Sequence, residues 1–248
     1  MRPATRVVPK ALITVVDRPA IQYGVEEAAR AGAKEAIVVV DLDAGHLIAQ
    51  HFSLEGPLPG LEDIRVRPVV QEEALGLGHA VHEAAEMVGD RPFFCLLSDN
   101  IVRPGHDVLD QMAAGSDDGE VSVMCLRKLS DEFLSKYGVV VPSSEVEDRY
   151  LDIGGAVEKP GVDNAPSRLG LVGRYLFTPE VFSILSKTPP GVGGEIQLTD
   201  AINELGEKGR LRGFVAETDL LDTGTPEGLL KATKVLGTHQ FGEDVFDS

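Results

Sequence analysis

PFFCLLSD, residues 92–99, is an unbroken apolar run that stops on a carboxylate. Short runs of this kind, bounded by polar residues, mark strands buried on both faces of a sheet. In open α/β sheets ligands bind at the carboxyl ends of such strands, which makes Asp99 a candidate ligand for substrate or metal. Working outward, EAIVVVD at 35–41 and IRVRPVV at 64–70 are two further strand patterns. Helical patterns alternate with them. In DRPAIQYGVEEAARAG, residues 17–32, Asp17 can cap the helix and Pro19 sits in its first turn. Ile21, Val25, Ala28 and Ala29 then share one face, and Gly32 ends it. GHAVHEAAEMVG at 78–89 predicts another helix, so the first half is expected to be a doubly wound α/β layer.

Beyond Gly105, HDVLDQMAAG at 106–115 predicts a helix and EVSVMCL at 120–126 a strand. YGVVV, GAVEKP and LGLVGRYLF, starting at residues 137, 155 and 169, alternate or carry glycines and suit a mixed sheet laid as a lid or floor beside the strand ends. Helices are expected in PEVFSILSKT (179–188), EIQLTDAINELGEKG (195–209) and TPEGLLKATKVLG (225–237), with a strand in LRGFVAETD (211–219). The acidic tail FGEDVFDS is expected to fray.

A chain of 248 residues can bury a full core as one domain, and there is neither a fixed-period repeat nor a dividing linker. Its 40 acidic against 23 basic residues give a net charge of −17, which repels a phosphate backbone and an anionic bilayer. Nucleic acid and membranes are therefore not expected as partners. An anionic substrate needs a local group of lysines and arginines, or a metal ion, to offset that field. Cys95 and Cys125, both inside apolar runs, exclude a disulfide framework and suit a reducing cytosol. No stretch approaches the roughly 20 apolar residues of a membrane span. The opening MRPATRVVPK is broken by prolines and a lysine and is not an export signal.

A second carboxylate, Asp222, closes the strand-like start of LLDTGTPEG, residues 220–228. Two carboxylates brought together can hold Mg²⁺ against a triphosphate. In QEEALGLGHA, residues 71–80, Gly76 and Gly78 allow close backbone approach, and the Gln71 amide can pair with a base edge through one donor and one acceptor. His79 suits a packed helix position. Glu158 and Lys159 of GGAVEKP point to opposite faces of a strand unless a turn reorients them. There they offer a hydroxyl acceptor and a phosphate-binding cation. In KYGVV, Tyr137 suits packing, and Gly138 permits close approach.

VVDRPAIQYGVEEAARAG, Gln71 with GLGHAV, LLSDN, YGVV, VEKP, APSRLGLVGRY and above all KTPPGVGGEIQLTDAI (187–202) run in one order along nearly the whole chain. In this the sequence resembles the bacterial UTP:glucose-1-phosphate uridylyltransferases, a branch of the sugar-1-phosphate nucleotidyltransferases. The resemblance implies a Rossmann-like mixed, mostly parallel sheet flanked by helices. It makes 1–248 a single nucleotidyltransferase domain, with a nucleotide-binding half at 1–125 and a sugar-phosphate half at 126–248. By resemblance Gln71 and Gly76 read uracil, and Asp99 and Asp222 hold Mg²⁺. Gly138, Glu158, Lys159 and Gly173 form the glucose-1-phosphate pocket, with Lys159 on the phosphate, and Lys10 approaches the nucleotide phosphates. The implied reaction is attack of the sugar phosphate on the α-phosphorus of UTP, giving UDP-glucose and pyrophosphate. Homodimers and tetramers are common in the family.

Two departures accompany the likeness. The family's first strand and the glycine-rich loop after it are absent from this sequence, so one sheet position is expected to be vacant. The usual Glu-Met-Leu-Pro after Lys10 is Ala11, Leu12, Ile13 and Thr14. MRPATRVVPK is then the far half of a nucleotide-binding loop. A second reading is a catalytically impaired homologue that binds nucleotide sugar or serves as a regulatory subunit.

Overall fold

A computed structural model describes residues 1–42, 44–53, 56, 58–218 and 220–246. Two short antiparallel strands, β1 (Thr14–Val15) and β2 (Arg18–Pro19), launch helix α1 (Ala20–Arg30). Pro19 stands at the N-cap, and Asp17 does not cap the helix. The Asp17 carboxylate accepts instead from the Arg18 guanidinium and the Gln240 amide, which hold its pKa down at about 2. Gly32 ends the helical segment as expected, at a φ of +84° that a side chain rarely tolerates.

Strands β3 (Glu35–Val40) and β4 (Arg65–Val70) pair in parallel across α2 (Gly45–Ser53). That helix has no counterpart in the sequence reading; its one buried large side chain is Ile48, set against Ile21, Val40 and Ala44. The helix expected at 78–89 is broken at Ala84 into α3 (Leu77–Glu83) and α4 (Ala85–Val88). There follow β5 (Phe93–Leu96), β6 (Asn100–Val102), α5 (Val108–Ala114), β7 (Ser122–Lys128), β8 (Val139–Pro142), β9 (Tyr150–Val157) and the one-turn α6 (Gly161–Asn164). The chain continues with β10 (Leu169–Phe177), α7 (Glu180–Leu185), α8 (Leu198–Glu207), β11 (Leu211–Val215), β12 (Leu220–Asp222) and α9 (Pro226–Phe241).

Six strands form the main sheet in the order β5-β10-β7-β11-β9-β8. The sheet is mixed, as expected, but mainly antiparallel: among its named strands only β7 and β11 run parallel, Leu211↔Ser122 to Val215↔Leu126. The reason lies in the connections. A parallel neighbour requires a crossover of about a dozen residues or more, whereas β8 and β9 are joined by the short turn at 143–149. Nor do the glycine-containing pieces form a lid. β10 is buried along its whole length and lies between β5 and β7 at the centre of the core.

Among the described residues β3 pairs only with β4 and β5 only with β10, so the expected continuous layer is divided into two sheets. Lying at an edge, β3 is only partly covered before Val40 rather than buried on both faces. The tail is ordered further than expected, because the Phe246 ring packs on Gly237 of α9. Cys125 is fully buried, and burial pushes its thiol and that of Cys95 up to about 12, so both stay protonated. Among the described residues no helix is long and apolar enough to cross a membrane.

Candidate active site

Asp99 follows β5 and Asp222 closes β12, and the antiparallel pairing of β6 with β12 sets Asp222 opposite Asn100. The junction is tied twice more, since the Thr223 amide and hydroxyl both donate to the Asp99 carbonyl, at 2.7 and 2.9 Å. A methyl group placed on Gly224 would sit 2.7 Å from Asp222 Oδ1, 3.0 Å from Lys10 Nζ and 3.3 Å from Asp99 Oδ2. The two carboxylates and the lysine thus converge on one point that only a glycine leaves open. Lys10 Nζ donates to Asp99 Oδ2 at 2.5 Å, so the basic N-terminal segment reaches the strand end. The Asp222 carboxylate accepts from the Gly224 amide at 2.7 Å and from the Tyr137 hydroxyl at 3.2 Å. Burial, reinforced by the Asp222 charge, pushes the Tyr137 phenol up to about 12, which keeps it a donor at neutral pH.

The turn that aims Asp222 depends on Gly228. A Cβ there would lie only 1.9 Å from the Asp222 carbonyl oxygen, and the same residue's amide caps α9 by donating to Thr225 Oγ1 at 3.0 Å. Gly228→Ala is therefore expected to destabilise the fold by about 1–3 kcal/mol. Chemical denaturation measures that loss, and a variant with wild-type stability contradicts the packing described.

Glu158 and Lys159 lie just beyond β9, and Lys159 has a φ of +46°. This left-handed turn supplies the reorientation that a plain strand lacks and folds the Lys159 ammonium back to 2.9 Å from Glu158 Oε1. Thr199 on α8 donates to Glu158 Oε2 at 3.3 Å, and the open face of Gly138 lies against the same oxygen. Gly173 sits where the β10–β7 register shifts, with a φ of +72°. A Cβ there would meet the Asn100 amide at 2.8 Å, so its absence lets β10 approach the Asp99 strand end.

Gln71 follows β4 and donates from Nε2 to the Gly76 carbonyl at 3.2 Å and to His79 Nδ1 at 3.0 Å. His79 Nε2 faces Glu83 at 3.1 Å, which favours the tautomer that leaves Nδ1 as an acceptor. His79 is thus more than a packed helix residue, because it orients the Gln71 amide. The positive φ of Gly76 and the bareness of Gly78 let this loop press on the backbone of Glu195–Ile196, with the Gly78 amide donating to the Ile196 carbonyl at 2.9 Å. The geometry therefore joins Lys10, Asp99 and Asp222 in one group, Gly138, Glu158 and Lys159 in a second, and Gln71 with Gly76 in a third. Among the described residues no hydrogen bond or ion pair links Lys159 or Gln71 directly to Asp99 or Asp222; Tyr137, next to Gly138, spans from the second group to Asp222.

The sequence reading missed Arg174 and Glu27. Arg174 is completely buried on β10 and donates to both Glu27 oxygens, at 2.9–3.2 Å, as well as to the carbonyls of Gly173 and Asn100 at 3.0 and 2.6 Å. A signal was present, an arginine inside LGLVGRYLF and a glutamate amid the apolar positions of α1, but not the pairing across 147 residues.

The mixed α/β fold thus gathers acidic and basic side chains, Asp99, Asp222 and Lys10, at one strand end. Residues 1–238 match the nucleotidyl transferase family model, and the chain belongs to that family. It is 35% identical to the UTP–glucose-1-phosphate uridylyltransferase of Bacillus subtilis (strain 168), with 93% of this chain and 84% of that protein covered. It is 34% identical to UTP–glucose-1-phosphate uridylyltransferase 2 of Staphylococcus saprophyticus, over 93% of this chain and 85% of that one. The fold superposes on a UDP-glucose pyrophosphorylase solved with UDP-glucose at a TM-score of 0.86 and 31% identity, covering 96% and 94% of the two chains. For the UTP-bound enzyme of Acinetobacter baumannii the TM-score is 0.84 and the identity 30%, over 99% and 92%.

Proposed function

We propose that the protein transfers a uridylyl group from UTP to glucose-1-phosphate, forming UDP-glucose and releasing pyrophosphate in the reducing cytosol. The observation that carries this reading is the convergence of Lys10, Asp99 and Asp222 on Gly224 in a chain whose relatives bear that name. A phosphate oxygen of the sugar attacks the α-phosphorus; the bond to the pyrophosphate oxygen breaks and pyrophosphate leaves with its electron pair. Positioning and charge neutralisation supply the acceleration, since no protein nucleophile is required. Lys159 holds the sugar phosphate, Glu158 accepts from a sugar hydroxyl, and Lys10 offsets charge on the triphosphate.

Asp99 and Asp222 fit a magnesium ion by the chemistry of their hard oxygen donors, as that ion is bound by one or two carboxylates with substrate phosphates and water completing its shell. Among the described residues no three His, Cys, Asp or Glu side chains are placed to hold a metal alone, so substrate phosphates and water would complete the shell. When bound, it neutralises phosphate charge. A pure binding module has no need to keep these two carboxylates and a lysine in register, which favours catalysis over the impaired reading.

Gln71 gives base selection a physical form. With both Nε2 hydrogens taken by Gly76 and His79, its remaining acceptor Oε1 suits a base with an N3–H donor, as in uracil, and faces a lone pair in cytosine. With Mg²⁺, UTP and glucose-1-phosphate the full chain is expected to release pyrophosphate at about 1–10³ s⁻¹, and Gln71→Ala to lower the UTP-over-CTP preference in kcat/KM about tenfold or more. UDP-glucose binding without turnover overturns the catalytic reading, and an unchanged base preference overturns the role of Gln71.

A further inference from the structure

Arg174 and Glu27 belong to none of the three groups of candidate residues, yet Arg174 touches the turn that carries Asp99. The Asn100 amide donates to the Leu97 carbonyl at 3.2 Å and closes a tight turn whose two central residues are Ser98 and Asp99. Arg174 grips both ends of that turn. Its Nη1 donates to the Leu97 carbonyl at 3.3 Å and its Nη2 to the Asn100 carbonyl at 2.6 Å, while Nη1 also reaches the Gly173 carbonyl at 3.0 Å. The Asn100 side-chain amide donates in turn to Asp99 Oδ1 at 3.1 Å. The residue whose carbonyl the guanidinium holds is therefore the one that orients the carboxylate.

Neutralising Glu27 does not by itself call for this arrangement. Nε and Nη2 of Arg174 both donate to the Glu27 carboxylate, at 2.9–3.2 Å, and this two-pronged pairing fixes the plane of the guanidinium. The remaining N–H groups are thereby aimed at the backbone of the turn. An ammonium in the same place has three donors on a flexible stem and no fork with which to span Glu27 and two carbonyls. Glu27 belongs to α1, and that helix also seats the segment bearing Lys10: the Ala20 amide donates to the Ile13 carbonyl at 3.0 Å, and Ala11 and Leu12 pack on the cluster that contains Ile21. One buried bridge thus joins the helix that carries the Lys10 segment to the turn that carries Asp99.

We infer that Arg174 and Glu27 are positioning residues for the reaction, holding the Asp99 carboxylate in its place against Lys10 and Asp222, and not a stabilising ion pair alone. The inference rests on the role given above to Asp99. Two variants test it: Arg174→Met/Glu27→Leu, which removes both charges, and Arg174→Lys, which keeps a cation opposite Glu27. In both, kcat for pyrophosphate release is expected to fall about a hundredfold, the scale of a misplacement of about 1 Å, with the KM for UTP within about threefold of the wild type. In the unliganded protein, amide hydrogen exchange followed by NMR is expected to quicken about tenfold or more at Asn100 relative to Ser122, whose amide is tied to the Arg210 carbonyl beside the main sheet. Exchange at Asn100 that is unchanged, or that quickens no more than at Ser122, overturns the proposal, since a merely structural role loosens both. So does a kcat within about threefold of the wild type in either variant. A wild type without turnover counts against uridylyl transfer instead, and the exchange comparison then decides whether the pair holds the turn.

Discussion

The Asp99→Ala variant is expected to release pyrophosphate at least about 10³-fold more slowly than the wild type while remaining folded. Its side chain is only about a quarter exposed, at 27%, and it is the anchor of Lys10. Truncation therefore removes one of two carboxylates and frees Lys10 from its partner. Lys10 is the more exposed partner, at 41%, so loss of the ion pair itself costs about 1 kcal/mol or less, and the melting temperature should move little. The strand-end geometry survives because the backbone contacts from Thr223 go to the Asp99 carbonyl, which alanine retains. Pyrophosphate release measured beside thermal unfolding separates the two effects. Turnover within tenfold of the wild type overturns the role given to this carboxylate, and a matching loss in Asp222→Ala is the companion expectation.

The largest stability effect is expected at Arg174. Replacing it with methionine leaves Glu27 as an unpaired carboxylate at 6% exposure, and removing one member of a buried pair costs about 3–5 kcal/mol. For a chain of this size that corresponds to a fall of about 10 °C in melting temperature. Most of the loss is the penalty of the abandoned charge rather than the worth of the pair. The double variant Arg174→Met/Glu27→Leu should therefore recover much of it, although the carbonyls of Gly173 and Asn100 still lose their donors. Denaturant melts of both single variants and the double test this; equal losses in single and double variants contradict the pairing argument.

The strand end at Asp99, the helix over α1 and the two-carboxylate idea were legible because each is written in a short stretch with a period or an abrupt change of polarity. Sheet direction was not. LGLVGRYLF carries no mark that it runs antiparallel to both neighbours, since direction is settled by which distant strands it pairs with. The same holds for its glycines, which looked like signs of a loose region and are instead what lets β10 bulge at Gly173 against Asn100. Lys159 became legible as a partner of Glu158 only through a positive φ that no residue type announces. α2 escaped because its neighbours, Ile21 among them, lie elsewhere in the chain.

The order in which the strands enter the main sheet carries a consequence for synthesis. β11 is the last of its six strands in sequence, yet it lies between β7 and β9, and β12 follows to bring Asp222 and Thr223 onto Asp99 across 124 residues. A chain emerging from the ribosome thus holds Leu126, Leu151 and Ile153 without the strand that separates them until Leu211–Val215 has cleared the exit tunnel. Non-local pairing of this kind is slow and leaves apolar surface uncovered meanwhile. The candidate active site is accordingly assembled last, so ligand binding there during translation reports a finished fold rather than a growing one.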